Sequence, residues 1–220
     1  MSHYLNNCCP LCGEDNPELY FEDKNRRYLS CPDCHLVYVP REFFLTKEAE
    51  KTEYDFHNND PADPEYRKFL SRLSLPMLER LRPRQKGLDF GCGPGPAMHD
   101  LFTAHGHTVD LYDPFYTNNP GVFSNTFDFI TATEVVEHLH HPGSVFDRLF
   151  DLLHCGGWLG IMTKLVLDKE KFSYWHYIRD LTHVCFYSRA TFTYIAQRHR
   201  ASLSFIGNDV ILLQKGEFQV

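Results

Sequence analysis

Apolar residues along this chain follow two alternating rhythms. From residue 87 onward, the short apolar runs GLDF, TVDLYD, FDFITA and WLGIMT are separated by stretches at 96–105, 142–153 and 188–199 in which apolar positions return every three or four residues. A short apolar run bounded by turn residues predicts a buried strand, and the three-to-four spacing predicts an amphipathic helix. Their alternation predicts a parallel sheet with helices on both faces, the α/β class. The last two apolar runs, ASLSFIG and DVILLQ, are joined by the turn-prone Gly207-Asn208 and predict a closing hairpin that places one antiparallel strand at the sheet edge. Before the sheet, Tyr66, Phe69, Leu70, Leu73, Met77, Leu78 and Leu81 share a helical face, so a helix is predicted over 64–82, capped by Asp63 and kinked at Pro76. Nearer the start, LYFED, RRYLS and HLVYVP predict three short strands. Residues 41–62, ending in turn-prone sequence, predict a linker or lid. The organisation expected is therefore a small module at 1–40, a connecting segment at 41–62 and a main domain at 63–220.

Length and composition fit this picture. The 220 residues suffice for one full domain and a small module, and 43% hydrophobic with 15% aromatic content can bury a core, which excludes a disordered chain. The formal charge of −7 makes nucleic acid or an anionic membrane a poor default partner. The one basic cluster, Arg82-Pro83-Arg84-Gln85-Lys86, reads as a solvated turn. No apolar run approaches the roughly 18 residues of a membrane span, and the first residues carry neither a basic patch nor an apolar stretch. The expectation is a cytoplasmic protein without membrane contact.

Five of the eight cysteines fall within the first 34 residues. Cys9-Pro-Leu-Cys12 and Cys31-Pro-Asp-Cys34 are two C-x2-C hooks 18 residues apart, each able to give two thiolates to one tetrahedral ion. With the three short strands around them they resemble a zinc ribbon, which implies structural Zn2+. A disulfide framework is the alternative, disfavoured by the absence of a secretion signal. Cys8 is a bystander or a substitute for Cys9. The module carries six acids against Lys24, Arg26 and Arg27, a weak phosphate binder, so its role is structural or that of a wall of a substrate site.

The stretch Leu88-Asp89-Phe90-Gly91-Cys92-Gly93-Pro94-Gly95 closes the first strand of the main domain and leads into a helix. Glycines there allow a tight turn and a close approach to a nucleotide-like ligand. Asp113 ends the next strand, 24 residues after Asp89, where a carboxylate can accept ribose hydroxyls. The loop lacks a P-loop lysine. LDFGCGPG, the acid closing the second strand, FDFITATEVVEHLHHP and the GGWLGIMT strand together resemble the class I S-adenosylmethionine-dependent methyltransferases over about residues 64–215. The resemblance implies a Rossmann-like doubly wound sheet with S-adenosylmethionine bound at its glycine loop. Asp89 would lie near the amino group of the methionine moiety, Gly91, Cys92, Gly93 and Gly95 would line the cofactor, Asp113 would hold the ribose, and Thr133 and Glu134 would border the sulfonium. Only 14 residues separate Asp113 from Asp128, too few for the family's usual third strand, which is expected to be vestigial near Val122–Ser124 or missing. Adenine would then pack on Tyr112, Pro114 or Phe115. A nicotinamide-dependent dehydrogenase is the rival, disfavoured by the terminal hairpin.

Methyl transfer needs an aligned acceptor and, for a hydroxyl or carbon acid, a route for its proton. Two segments at the carboxyl edge of the sheet offer candidates: Glu134-Val135-Val136-Glu137-His138, and Trp175-His176-Tyr177 with Asp180 and His183. E-x-x-E-H is similar to the divalent-cation ligands of the ubiquinone-pathway O-methyltransferases and of the small-RNA 3′-terminal 2′-O-methyltransferases. That similarity implies a second metal, Mg2+ or Mn2+, on Glu134, Glu137, His138 and His183; the alternative is that Glu137 and His138 only cap a helix. His176 is the candidate free general base, beside His183, Glu137 and His138. An acceptor pocket is expected between 41–62, 134–138 and 172–187, its aromatics being Tyr54, Phe56, His57, Phe172, Tyr174, Trp175 and Tyr177, unless those aromatics dock the ribbon instead. The resulting expectation is a methyltransferase acting on a small molecule. Nucleotide-sugar C-methyltransferases, to which the ribbon-plus-domain layout is similar, carry a further domain that is not found here. An RNA or protein methyltransferase that grips its polymer with the ribbon, and a non-catalytic cofactor-binding scaffold, are the alternatives.

Overall fold

The computed structural model describes residues 8–56 and 60–216. Within them β1 (Glu18–Glu22), β2 (Arg27–Ser30) and β3 (Val37–Tyr38) form an antiparallel meander. Next come α1 (Lys47–Asp55) and α2 (Pro64–Leu78). The main domain then runs β4 (Lys86–Phe90), α3 (Ala97–Thr103), β5 (Thr108–Tyr112), β6 (Phe127–Thr133), α4 (Pro142–Leu152) and β7 (Leu153–Met162). It closes with α5 (Lys169–Tyr174), β8 (Cys185–Phe186), α6 (Arg189–Arg198), β9 (Ala201–Ile206) and β10 (Val210–Lys215). His57 lies outside the described residues.

Six strands make the main sheet, in the order β5-β4-β6-β7-β10-β9. β5, β4, β6 and β7 are parallel, and β10 lies antiparallel between β7 and β9, as the closing hairpin requires. The chain leaves β4 toward β5 and then returns to the other side of β4 as β6. This reversal of strand order opens a crevice at the carboxyl ends of β4 and β6, the place where open α/β sheets bind ligands. Leu88, Phe129, Ile130, Leu159, Ile161 and Leu212 are buried on the sheet, and α2 packs its Leu70, Leu73 and Met77 against it.

Three local features bear on the sequence expectations, and the third strand is missing among the described residues, one of the outcomes expected. No strand forms at Val122–Ser124; Pro120–Ser124 is a 3-10 turn led by Asn119, whose side chain accepts from the Gly121 amide, so β5 is the sheet edge among the described residues. Asp63 caps α2 through the Glu65 amide, but the helix stops at Leu78, within a turn of Pro76, which has no N–H to continue the ladder. The 41–62 segment is not plain linker: Thr46 caps α1 by accepting from the Ala49 amide, and Lys, Glu and Ala are strong helix formers.

The meander does not stand apart from the main domain. β3 pairs with β8, Val37 with Phe186 and Tyr38 with Cys185, to give a four-stranded sheet β1-β2-β3-β8. Buried Tyr28, Leu36 and Val37 of the meander belong to the same apolar core as Phe146, Phe186 and Phe192. At the first hook, Gly143 of α4 donates its amide to Pro10, so closely that a Cβ at residue 143 would lie 2.4 Å from the Leu11 carbonyl oxygen.

Candidate active site

The turn leaving β4 is built by Gly91 and Gly93, with φ of +76° and +62°. That region is open to glycine and strained for residues with a Cβ. A Cβ on Gly91 would also lie 2.4 Å from a Val135 methyl. The Gly91 amide donates to the Tyr112 carbonyl (2.7 Å), and the Gly93 amide donates to Asp113 Oδ2 (3.1 Å). Asp113 Oδ1 accepts from the Phe115 and Tyr116 amides at 2.8 and 3.1 Å. Loop and acid are thus latched together, with Oδ2 holding a single amide and retaining acceptor capacity.

These groups open onto a cavity of about 970 Å³. Phe90, Gly91, Cys92, Gly93, Tyr112, Asp113, Pro114 and Phe115 line one side, and Thr133 and Glu134 line its floor at the end of β6. Thr133 Oγ1 is buried without a hydrogen-bond partner, a polar atom waiting for a ligand. Asp89 and Gly95 are not on this lining. The Asp89 carboxyl is buried and accepts from Thr131 Oγ1 (2.9 Å), and burial pushes its pKa up to about 6 against the pull of that hydrogen bond.

The opposite wall comes from α1, the turn after β6 and the segment after β7. Tyr54 of α1 donates to Glu50 Oε1 (2.9 Å) and meets Phe115 and His138 edge-on. His138 in turn abuts His183, and His183 abuts Tyr177, with centroids 4.7 and 4.0 Å apart. Among the expected aromatics, Tyr54 and Tyr177 line the cavity. Phe172 and Trp175 do not; Phe172 packs against Tyr20, Tyr28 and Phe186, so it docks the meander. Tyr174 and Phe56 are exposed.

His183 Nδ1 donates to the Tyr177 carbonyl (2.7 Å) and His138 Nδ1 to the Thr182 carbonyl (3.3 Å). Since a carbonyl only accepts, each ring carries its Nδ1 proton, and His183 Nε2 lies 3.6 Å from Asp180 Oδ2. His176 Nε2 instead accepts from Lys164 Nζ (2.8 Å), so the lone pair a general base would use already holds an ammonium proton. Lys164 lines the cavity, as do Lys47 and Glu50. None of these three was singled out in the sequence. The one signal for Lys164 is its place just past the carboxyl end of β7.

Glu137 is fully buried in the 3-10 turn Val136–His138. One carboxyl oxygen accepts from Thr163 Oγ1 (3.0 Å) and the other from the Tyr177 hydroxyl. Burial, and next to it Glu134, pushes its pKa up to about 8. Glu134 lies on the cavity with φ of +52°, unusual for a residue with a side chain, and burial pushes it up to about 7 against the pull of Lys164 and Arg72. Candidate ligand atoms of Glu137, His138 and His183 lie within 4.8 Å of one another, and Glu134 is not among them.

At the hooks, the Sγ atoms of Cys9, Cys12, Cys31 and Cys34 also lie within 4.8 Å of one another, with Cys9–Cys34 and Cys12–Cys31 at 3.4 Å. These separations are far beyond the roughly 2.05 Å of a disulfide. They approach the spacing of four thiolates about 2.3 Å from one central ion. Four cysteines, three of them buried, with backbone turns closing each hook, fit a structural zinc; Cys8 is exposed and outside the cluster.

Residues 61–199, more than half of the chain, match the model of a family described as a methyltransferase domain. Among solved structures, the chain is similar to a 1,6-didemethyltoxoflavin-N1-methyltransferase of Burkholderia thailandensis with bound 1,6-didemethyltoxoflavin and S-adenosylhomocysteine. That match has 13% identity and a TM-score of 0.54, and covers 92% of this chain and all of that one. It is also similar to an O-methyltransferase family protein of the same organism, at 14% identity and a TM-score of 0.51, covering 78% of this chain and 64% of that one, less than two thirds of its length. At these identities the likeness is one of fold. No curated protein matches the chain. No helix among the described residues is long and apolar enough to cross a membrane.

Proposed function

Because the chain belongs to the methyltransferase domain family, we propose that it transfers the methyl group of S-adenosylmethionine to a hydroxyl or carbon acid of a small molecule. One observation carries the reading: a single cavity has the glycine loop and Asp113 on one side and the rings of Tyr54, His138, Tyr177 and His183 on the other. The residues present fit the cofactor. Asp113 Oδ2 has room for ribose hydroxyls, Thr133 Oγ1 lacks a partner, and the absence of a Cβ at Gly91 leaves Val135 its place on the cavity wall. Tyr112, Pro114 and Phe115 offer apolar surface for adenine. Bound there, S-adenosylmethionine supplies an electrophilic methyl group on a sulfonium. The chain's own task is to hold the acceptor in line and take its proton.

Glu134, on the cavity and poised near 7, and the Nε2 atoms of His138 and His183 are the groups that can do so. Glu137, His138 and His183 also make a donor set for a divalent cation such as Mg2+ or Mn2+, which would polarise an acceptor hydroxyl. Each imidazole already gives its Nδ1–H to a backbone carbonyl, the usual outer support of a ligating histidine. The cavity's aromatic and imidazole faces with a few polar groups suit a planar or sugar-like acceptor. No described residue before Lys47 lines the cavity, which favours a small molecule over a polymer gripped by the cysteine module.

Two measurements test the reading. Calorimetry with S-adenosylhomocysteine should give one site per chain, and Asp113→Ala should weaken it about 10- to 150-fold, as for loss of a hydrogen bond to a charged group worth about 1.5–3 kcal/mol. Unchanged affinity would exclude the cofactor site. A screen of acceptor classes with methyl-labelled cofactor should then return a methylated small molecule. Binding without transfer to any acceptor class would instead mark a scaffold.

A further inference from the structure

Arg26 is the one arginine that is buried among the described residues. Among the described residues its guanidinium makes no ion pair within 4 Å, and it spends its donors on three backbone carbonyls and one hydroxyl. Nη1 donates to the Leu181 carbonyl (3.1 Å), Nη2 to those of Ile178 and Asp180 (both 2.9 Å), and Nε to the Tyr28 hydroxyl (2.9 Å). Three carbonyls within four residues of one loop are therefore held by one planar fork that reaches across from the residue before β2. Burying a charge in this way is costly unless its hydrogen bonds are satisfied, and here the satisfying partners belong to a segment about 150 residues away in the chain.

That segment is the acceptor wall. His176, Tyr177, Asp180 and His183 all line the cavity, whereas no described residue of the cysteine module does. The carbonyls that Arg26 holds alternate with the site's own groups. Ile178 follows Tyr177, whose carbonyl accepts from His183 Nδ1, and Asp180 and Leu181 precede Thr182, whose carbonyl accepts from His138 Nδ1. Both imidazole tautomers thus depend on a backbone path that Arg26 fixes from behind.

We propose that Arg26 is a positioning residue: through the carbonyls of Ile178, Asp180 and Leu181, the cysteine module sets the shape of the acceptor wall without touching the acceptor. The module's contribution to catalysis is then mechanical, delivered through one buried guanidinium and the β3–β8 pairing. The role in turnover rests on the methyltransferase reading; the positioning itself does not.

The test uses the full-length protein with its metal content measured. Arg26→Met keeps the apolar stem and removes every donor. Tyr28→Phe is the milder variant, removing only the hydroxyl that accepts from Nε and has Asp23 Oδ2 (3.1 Å) and the Ile178 carbonyl (3.3 Å) as its own acceptors. Hydrogen exchange followed by mass spectrometry should show amides in 177–184 exchanging at least tenfold faster in Arg26→Met and about threefold faster in Tyr28→Phe, with 86–113 unchanged. In a Trp158→Phe background, emission of Trp175, which packs on Tyr177, should shift to the red. Affinity for S-adenosylhomocysteine should stay within twofold. With an acceptor in hand, its KM should rise at least tenfold while the cofactor's KM holds. If Arg26→Met does not fold, Tyr28→Phe decides. Unchanged exchange in 177–184, exchange rising equally in 86–113, or cofactor affinity falling in step would each overturn the assignment. Loss of cofactor binding in the wild type would defeat the methyltransferase reading and leave the exchange result standing.

Discussion

At Gly91 and Gly93 the same backbone region carries two different penalties. Both have positive φ, but a Cβ at 91 meets Val135 and a Cβ at 93 meets nothing within 4 Å. Gly91→Ala should therefore weaken S-adenosylhomocysteine binding by at least tenfold, because Val135, itself on the cavity, must move. Gly93→Ala should cost only the strain of a left-handed residue, about 1–2 kcal/mol. Calorimetry and thermal melts on the pair separate the two. Asp89 makes a second residue-scale prediction. Its pKa is raised to about 6 by burial, so its neutral form belongs to the folded state. A raised acid contributes stability that is full below its unfolded value near 4 and is lost as pH rises through 6. Asp89→Asn should flatten that loss, worth at most about 3 kcal/mol, in urea midpoints compared at pH 4 and 7.5. The glycines and Asp113 were legible because turn chemistry is local. Arg26 was not: in the sequence it is one of three cations among six acids of the first 40 residues, and three of its four side-chain partners lie beyond residue 177.

Among the elements, the segment between β7 and α6 brings His176, Tyr177, Asp180 and His183 to the cavity, and on the proposed reading it faces the acceptor. If His183 serves the acceptor, His183→Ala should lower turnover by about 100-fold, the scale of a lost general acid–base group, with cofactor affinity near wild type. His176→Ala should match it only if Lys164 releases the His176 lone pair during turnover. Lys164→Met distinguishes the cases by the pH profile of kcat. The alternating strands and helices of the main sheet could be read from periodicity alone. α1 and β8 could not. α1 buries a single residue, Glu50, and so lacks an apolar stripe. β8 is two residues long, too short for any pattern, and exists because β3 offers it a partner. Aromatic density at 172–177 was visible, but its division into Tyr177 on the cavity and Phe172 behind it depends on where the meander packs.

For the whole molecule, one apolar core runs from Tyr28 and Leu36 through Phe186 to Ile195. A module that shares its core with the main domain should not melt alone. Calorimetry should show a single transition, and a strong chelator, or Cys31→Ser with its three-cysteine remainder, should lower the whole transition rather than produce a separate early one. Metal analysis should give one zinc per chain in the wild type and less in Cys31→Ser. A biphasic melt would show that the hooks and the sheet are separable.

The pairing of β3 with β8 also orders events during synthesis. Val37 and Tyr38 leave the ribosome early, and their partners Phe186 and Cys185 leave only after most of the main sheet. Until then the meander carries an open strand edge, the kind of surface that recruits other chains. An ion captured by the two hooks would hold the nascent meander in register through that interval. Zinc starvation would then reveal itself first in newly made chains as aggregation, before it affected molecules already folded.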